Sequence, residues 1–199
     1  LGITLATARE LFDSGIDVIT TGNHVWAKKE IIPYMDGDLA LLRPLNYPPI
    51  TPGHGYLFKG KVLVVNLIGR TFMGNFDCPF RAMDELLARL ESNPKTIIVD
   101  FHAEATSEKV AMGRYLDGRV SAVFGTHTHV GTIDAQILPG GTAYVTDIGM
   151  CGPVNSVIGD DADAVIKRFL TQMPFHLSVG KGTVTLDAVL VELNEETGK

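Results

Sequence analysis

Three apolar runs in this chain end on histidine-bearing polar motifs, and that pattern constrains its fold more than anything else in the sequence. Residues 17–21 lead into Gly22-Asn23-His24, residues 96–99 lead through Asp100-Phe101 to His102, and residues 120–124 lead into Gly125-Thr126-His127-Thr128-His129. Short continuous apolar runs bounded by turn signals read as buried strands. In an open α/β sheet, functional side chains gather at the carboxyl ends of such strands. The chain is therefore expected to deliver several nitrogen and oxygen ligands to one rim, as a metal-dependent hydrolase requires.

The intervening segments support an α/β order. Helical spacing is expected at residues 3–12, 27–34, 81–90, 107–116 and 162–171, with Pro33 bending the second of these. Residues 43–55 hold Pro44, Pro48, Pro49 and Pro52 and read as a long surface loop. Residues 56–58 and 61–68 flank Lys59-Gly60 as a hairpin, and a Gly-, Asn- and Asp-rich loop covers 69–79. Late strands are expected at 135–138 and 143–146, with a closing β pair at 177–179 and 183–193, several of them antiparallel. With 199 residues and 45% hydrophobic content, a single domain over residues 1–199 is expected.

Charge narrows the partners. A net charge of -6 without a Lys/Arg block excludes a groove for duplex nucleic acid. No apolar run approaches the roughly 18–20 residues of a membrane span. Cys78 and Cys151 form no Cys-x-x-Cys pair, which fits a reducing cytoplasmic location.

The histidines each carry a bland reading as well as a functional one. A bare His-x-His can merely cap a strand end, but residues i and i+2 of extended backbone share a side, so His127 and His129 can serve one centre. A lone His102 would more often be a satisfied core residue. Beside the other histidines it reads as a ligand, with Glu104 as ligand, as the partner of a ligand, or as a helix cap. Gly22-Asn23-His24 alone would be a turn. In this company it suggests Asn23 on metal and His24 turned toward substrate. N and O donors without thiolate point to Mn, Fe, Zn or Co. The carboxylates that would bridge two ions are not obvious: Asp100 and Glu104 are the candidates, with Asp100 expected to point away from the His102 side.

Five motifs taken together resemble the YmdB-like family of calcineurin-type metallophosphoesterases: Thr-Thr-Gly-Asn-His (20–24), Arg-Pro-Leu-Asn-Tyr-Pro (43–48), Val-Asn-Leu-Ile-Gly-Arg (65–70), Asp-Phe-His-Ala-Glu-Ala-Thr-Ser-Glu-Lys (100–109) and Gly-Thr-His-Thr-His-Val (125–130). The resemblance implies an α/β, four-layer α/β/β/α sandwich of the metallophosphoesterase type. It implies hydrolysis of phosphodiesters, 2′,3′-cyclic nucleotides included, by a hydroxide held between two divalent or mixed-valence metal ions. Manganese or iron is the expected metal, with zinc as the alternative. Asn23, His102 and His127 would hold one ion and His129 the other. His24 would be catalytic, orienting the phosphate or protonating the leaving oxygen.

The loops with Asn75, Asp77 and Pro79, and with Gly149 to Asn155, would border a small phosphodiester or cyclic nucleotide substrate. The family's N-terminal Gly-Asp-Val-x-Gly and Glu-Asn motifs do not precede Leu1. The expectation is an N-terminally truncated sandwich with a crippled second metal site and exposed apolar sheet edges. A noncatalytic metal- or nucleotide-binding regulatory domain is the alternative function, and homo-oligomer formation is left open.

Overall fold

The computed structural model describes residues 2–91 and 94–199. Its centre is a six-stranded mixed sheet. Three parallel strands form the middle: β4 (Val62–Ile68), β5 (Thr96–His102) and β6 (Ala122–Thr126). Strand β3 (Tyr56–Lys59) adds an antiparallel edge, folding back onto β4 through a tight turn in which Gly60 takes a φ of 59°. On the far side β8 (Ala143–Val145) runs parallel to β6, and β7 (Gln136–Ile137) closes the other edge antiparallel to β8.

Strand periodicity assigns the two faces of this sheet different tasks. Leu63, Val65, Leu67, Ile97, Val99, Phe101 and Val123 form a core with Met83 and Leu86 of α2 (Pro79–Arg89) and with Met112 and Leu116 of α3 (Thr106–Leu116). Full burial of each large apolar side chain there stabilises the fold by about 1.5–3 kcal/mol. The alternate positions, Asn66, Asp100 and His102, point the other way. Asn66 is fully buried, and its Nδ2 donates to the carbonyls of Thr21 and Leu42. Thr21 directly follows β1 (Ile19–Thr20) and Leu42 ends β2 (Leu41–Leu42), which together form a small parallel pair. One asparagine therefore fixes that pair, and the Gly22-Asn23-His24 turn after it, over the polar face of the main sheet.

A second core of Val25, Ile31, Met35 and Leu41 supports this pair, with Leu5 of α1 (Leu5–Asp13) packed against it. Thr4 caps α1 by accepting from the Thr7 amide. Residues 27–34 depart from the expected α-helix: Lys29–Tyr34 is a 3-10 turn containing Pro33, whose missing N–H and fixed φ disfavour an α-helical interior.

The closing β pair at 177–179 and 183–193 also needs correction. Only Val184–Leu186 is a strand (β10), and it pairs antiparallel with Cys151–Pro153 (β9), a strand that carries no apolar alternation. Val179 instead makes a single bridge to Asp160. Between β9 and β10 lies α4 (Ala162–Thr171), capped by the Asp161 carboxylate on the Ala164 amide.

Candidate metal centre

The ends of β1, β5 and β6 meet at His102. Its Nε2 lies 3.0 Å from Asn23 Oδ1 and 3.1 Å from His127 Nδ1. Gly22 makes this approach feasible, because a Cβ at that position would sit 2.1 Å from His102 Nε2. The two imidazoles meet edge to face, their centroids 4.8 Å apart.

Surrounding groups fix the tautomer of each ring. Thr126 Oγ1 donates its only proton to Asp100 Oδ1 at 2.8 Å, so at 3.1 Å from His102 Nδ1 it must accept. His102 therefore carries its proton on Nδ1 and a lone pair on Nε2. His127 donates from Nε2 to Glu104 Oε2 at 2.9 Å, which leaves a lone pair on Nδ1. Burial, followed by the fields of His127, Lys109, His129 and His24, depresses the His102 pKa to about 3. Burial also lowers that of His127, and the Glu104 carboxylate opposes it. Both rings are neutral at physiological pH.

Asn23 Oδ1 and His127 Nδ1 thus both approach His102 Nε2 with no proton between them. Lone pairs facing one another at hydrogen-bond distance repel unless a cation lies between, so the donor set fits a divalent ion. The spacing agrees: for metal–ligand bonds of about 2.1 Å, ligands at right angles lie about 3.0 Å apart. Among the described residues no three His, Cys, Asp or Glu side chains are grouped so as to hold a metal ion, so a third ligand beside His102 and His127 would have to be an amide such as that of Asn23.

The other residues named from the sequence fall around this centre. His129 is half-buried, and its Nδ1 donates to the Ile158 carbonyl at 2.8 Å, leaving Nε2 free to ligate. His24 is exposed in the turn after Asn23 and near enough to His102 to weigh on its titration. Gly149 has a φ of 92° and donates its amide to Asp147 Oδ1, and Asn155 is exposed in the loop after β9. Asn75 is exposed, whereas Asp77 lines a separate cleft of about 1050 Å³ with Asn46, Tyr47 and Phe76. Neither hydrogen-bonds to the histidines among the described residues.

Two expectations are corrected here. Asp100 does not point away from His102: two residues apart on β5, they share a face, and Thr126 joins them. Burial raises the Asp100 pKa to about 6, against the hydrogen bonds from Thr20 and Thr126. His127 and His129, in turn, are not in extended backbone. Strand β6 ends at Thr126, and the two histidines take φ values of 105° and 64°. Left-handed backbone, not strand alternation, turns both rings into the site.

Lys109 and Asp147, which no sequence motif marks as a pair, are each 1% exposed and pair at 2.7 Å behind the His127-Thr128-His129 turn. A lysine within Ser-Glu-Lys reads as a solvated helix face, and no local pattern announces its burial.

The YmdB-like protein family model matches residues 1–199. The chain belongs to this family. It is 49% identical over 202 residues to a 2′,3′-cyclic-nucleotide 2′-phosphodiesterase of Bacillus subtilis (strain 168), covering 100% of this chain and 76% of that protein. The crystal structure of a hypothetical protein from Thermus thermophilus superposes with a TM-score of 0.86 at 45% identity, covering 92% of this chain and 73% of that one. That of a novel phosphatase from Mycoplasma pneumoniae superposes with a TM-score of 0.84 at 36% identity, covering 92% and 68%. The α/β architecture around the mixed sheet is accordingly that of the metallophosphoesterases.

Proposed function

We propose that this YmdB-like chain is a metal-dependent phosphodiesterase whose substrates are 2′,3′-cyclic nucleotides. The observation that carries this reading is the approach of both Asn23 Oδ1 and His127 Nδ1 to within 3.1 Å of His102 Nε2, in a family whose relative at 49% identity is named as a phosphodiesterase for such substrates. That relationship favours an enzyme over a noncatalytic binding domain.

Asn23 Oδ1, His102 Nε2 and His127 Nδ1 would hold one ion, and His129 Nε2 would be a ligand to a second. Nitrogen and oxygen donors without thiolate suit manganese or iron, with zinc as a third candidate. When bound, such ions supply the positive charge that neutralises phosphoryl oxygens and lowers the pKa of the attacking water.

The chain's own groups do the rest. Asp100 through Thr126, and Glu104 directly, keep His102 and His127 in their ligating tautomers. His24, exposed at the rim, places an imidazole against the phosphate and delivers a proton to the leaving ribose oxygen. Gly149 and Asn155 would border the substrate on the β9 side and Asn75 on the α2 side, whereas Asp77 lines the separate cleft and has no part in this site.

Among the described residues no helix is long and apolar enough to cross a membrane, and Cys78 and Cys151 are both free thiols. These features accord with a cytoplasmic enzyme acting on a small diffusible substrate.

The test is turnover of 2′,3′-cyclic AMP by protein loaded with Mn²⁺ or Fe²⁺. The reading predicts metal-dependent hydrolysis that His24→Ala reduces by about 10²–10⁴-fold, the usual weight of a general acid. Undiminished turnover in His24→Ala would remove His24 from the mechanism, and no turnover with either metal would remove the function.

A further inference from the structure

The least expected polar feature of the interior is a charged pair that no step of the proposed reaction uses. Lys109 Nζ lies 2.7 Å from Asp147 Oδ2, and each side chain is 1% exposed. Two ions taken out of water at this depth carry a large desolvation penalty, and an apolar pair of equal volume would often stabilise a core as well or better. Their placement therefore calls for a reason other than stability.

The bonds around Asp147 supply one. Besides Lys109, Asp147 Oδ2 accepts from the Thr128 amide at 3.1 Å and from Thr128 Oγ1 at 2.7 Å, while Oδ1 accepts from the Gly149 amide at 2.9 Å. Thr128 is the middle residue of His127-Thr128-His129, and the histidines on either side take φ values of 105° and 64°. Such backbone is strained for residues with a Cβ and persists only where surrounding structure over-determines it. Burial would raise the Asp147 pKa, but Lys109, Thr128 and Gly149 hold it below the usual carboxylate value, so the acceptor keeps its charge. Lys109 stands on α3, whose first residues follow the β5 end that carries His102 and Glu104.

We infer that the buried Lys109–Asp147 pair is a positioning device for the metal centre: it clamps Thr128 and so holds His127 and His129 in the left-handed backbone that aims both rings inward. Neither residue touches metal or substrate in this role. The strap links α3, the His-x-His turn and the Gly149 loop through one carboxylate, and displacing it frees both histidines toward extended backbone.

The inference rests on the proposed metal centre for its purpose, but its geometric content can be read without metal. Four forms of the chain would be compared: wild type, Thr128→Val, the charge-neutral double variant Lys109→Met/Asp147→Asn, and Asp84→Asn as a surface control in the exposed Asp84–Arg119 pair. Thr128→Val leaves the buried ions paired, and the double variant leaves neither charge orphaned, so both remain usable where Asp147→Asn alone fails to fold.

The backbone chemical shifts and couplings of ¹³C,¹⁵N-histidine-labelled, metal-free protein report φ at residues 127 and 129. The double variant should lose the left-handed signature at both residues, Thr128→Val should weaken it, and Asp84→Asn should leave it intact. Calorimetric titration with Mn²⁺ should then show affinity reduced by about 10- to 100-fold in the double variant, the usual weight of groups that orient metal ligands. Its kcat at saturating Mn²⁺ should fall with KM little changed.

Folded variants that keep the left-handed signature and wild-type Mn²⁺ affinity would overturn the inference. A double variant that loses the signature while wild type itself binds no Mn²⁺ would uphold the clamp and overturn the metal-centre reading.

Discussion

At the scale of single residues, the decisive atoms are His102 Nε2 and the two acceptors that face it, Asn23 Oδ1 and His127 Nδ1. Their orientation depends on neighbours that never reach the centre, and the consequences can be measured. Glu104→Gln keeps the volume but weakens the charge-assisted bond at 2.9 Å that holds the His127 tautomer. Mn²⁺ affinity should fall by about 10-fold or more, read by calorimetry, with a melting temperature close to that of wild type.

Gly22→Ala attacks the same centre sterically. Its Cβ would lie 2.1 Å from His102 Nε2, so the ring must move, and metal binding and phosphodiesterase activity should be lost together while the circular dichroism spectrum is retained. The sequence made the histidines and Asn23 legible because all of them follow apolar runs, two of the three motifs opening on Gly22 and Gly125. The left-handed backbone at His127 and His129 was not legible, since it is imposed by Asp147, almost twenty positions further along the chain.

At the scale of elements, the chain is held by short polar ties between loops and strand ends. Asn46 is the clearest case. It is 2% exposed, its Nδ2 donates to the carbonyls of Ile68 and Asp77, and its Oδ1 accepts from the Ile68 amide. Replacement by Ala removes three hydrogen bonds and orphans buried backbone groups on the strand next to β5. Stability should drop by about 2–4 kcal/mol, at about 1 kcal/mol per bond plus a desolvation penalty, as measured by urea unfolding.

Gly113 on α3 lets the helix approach β8, where a Cβ would meet the Tyr144 ring at 2.4 Å. Gly113→Ala should therefore cost about 1–3 kcal/mol through overpacking, a loss that the same unfolding experiment would detect. The parallel strands β4, β5 and β6 were legible as apolar runs because positions on the second face, such as Val64, Ile98 and Phe124, are apolar as well. The pairing of β9 with β10 was not: Val184 and Leu186 are exposed, and Cys151-Gly152-Pro153 offers no alternation to mark a strand.

At the scale of the whole molecule, the sheet separates two functions by face. One side buries the core against α2 and α3, while the other carries Asn66, Asp100 and His102 toward β1 and the metal centre. Because the proposed ligands come from chain segments separated by some eighty and twenty-five residues, a bound ion would cross-link the folded state. Chelation of Mn²⁺-loaded protein should lower its melting temperature, and the shift should vanish in His102→Ala.

Acid should act through a different group. Burial would raise the Asp134 pKa, but hydrogen bonds from Thr132 and Thr146 hold it below the usual value of 3.8. Asp134 therefore contributes stability that is complete above that value and is lost as pH falls through its lower folded pKa. In metal-free protein the stability gap between wild type and Asp134→Asn should narrow as pH falls through and below 3.8, in urea melts across that range.

The central claim is that Asn23, His102 and His127 hold a metal ion together. Anomalous diffraction at the manganese edge, on crystals of this chain grown with Mn²⁺, tests it most directly. The expected result is a peak bonded to Asn23 Oδ1, His102 Nε2 and His127 Nδ1. A well-ordered map with no peak there, or with manganese bound only elsewhere, would contradict it.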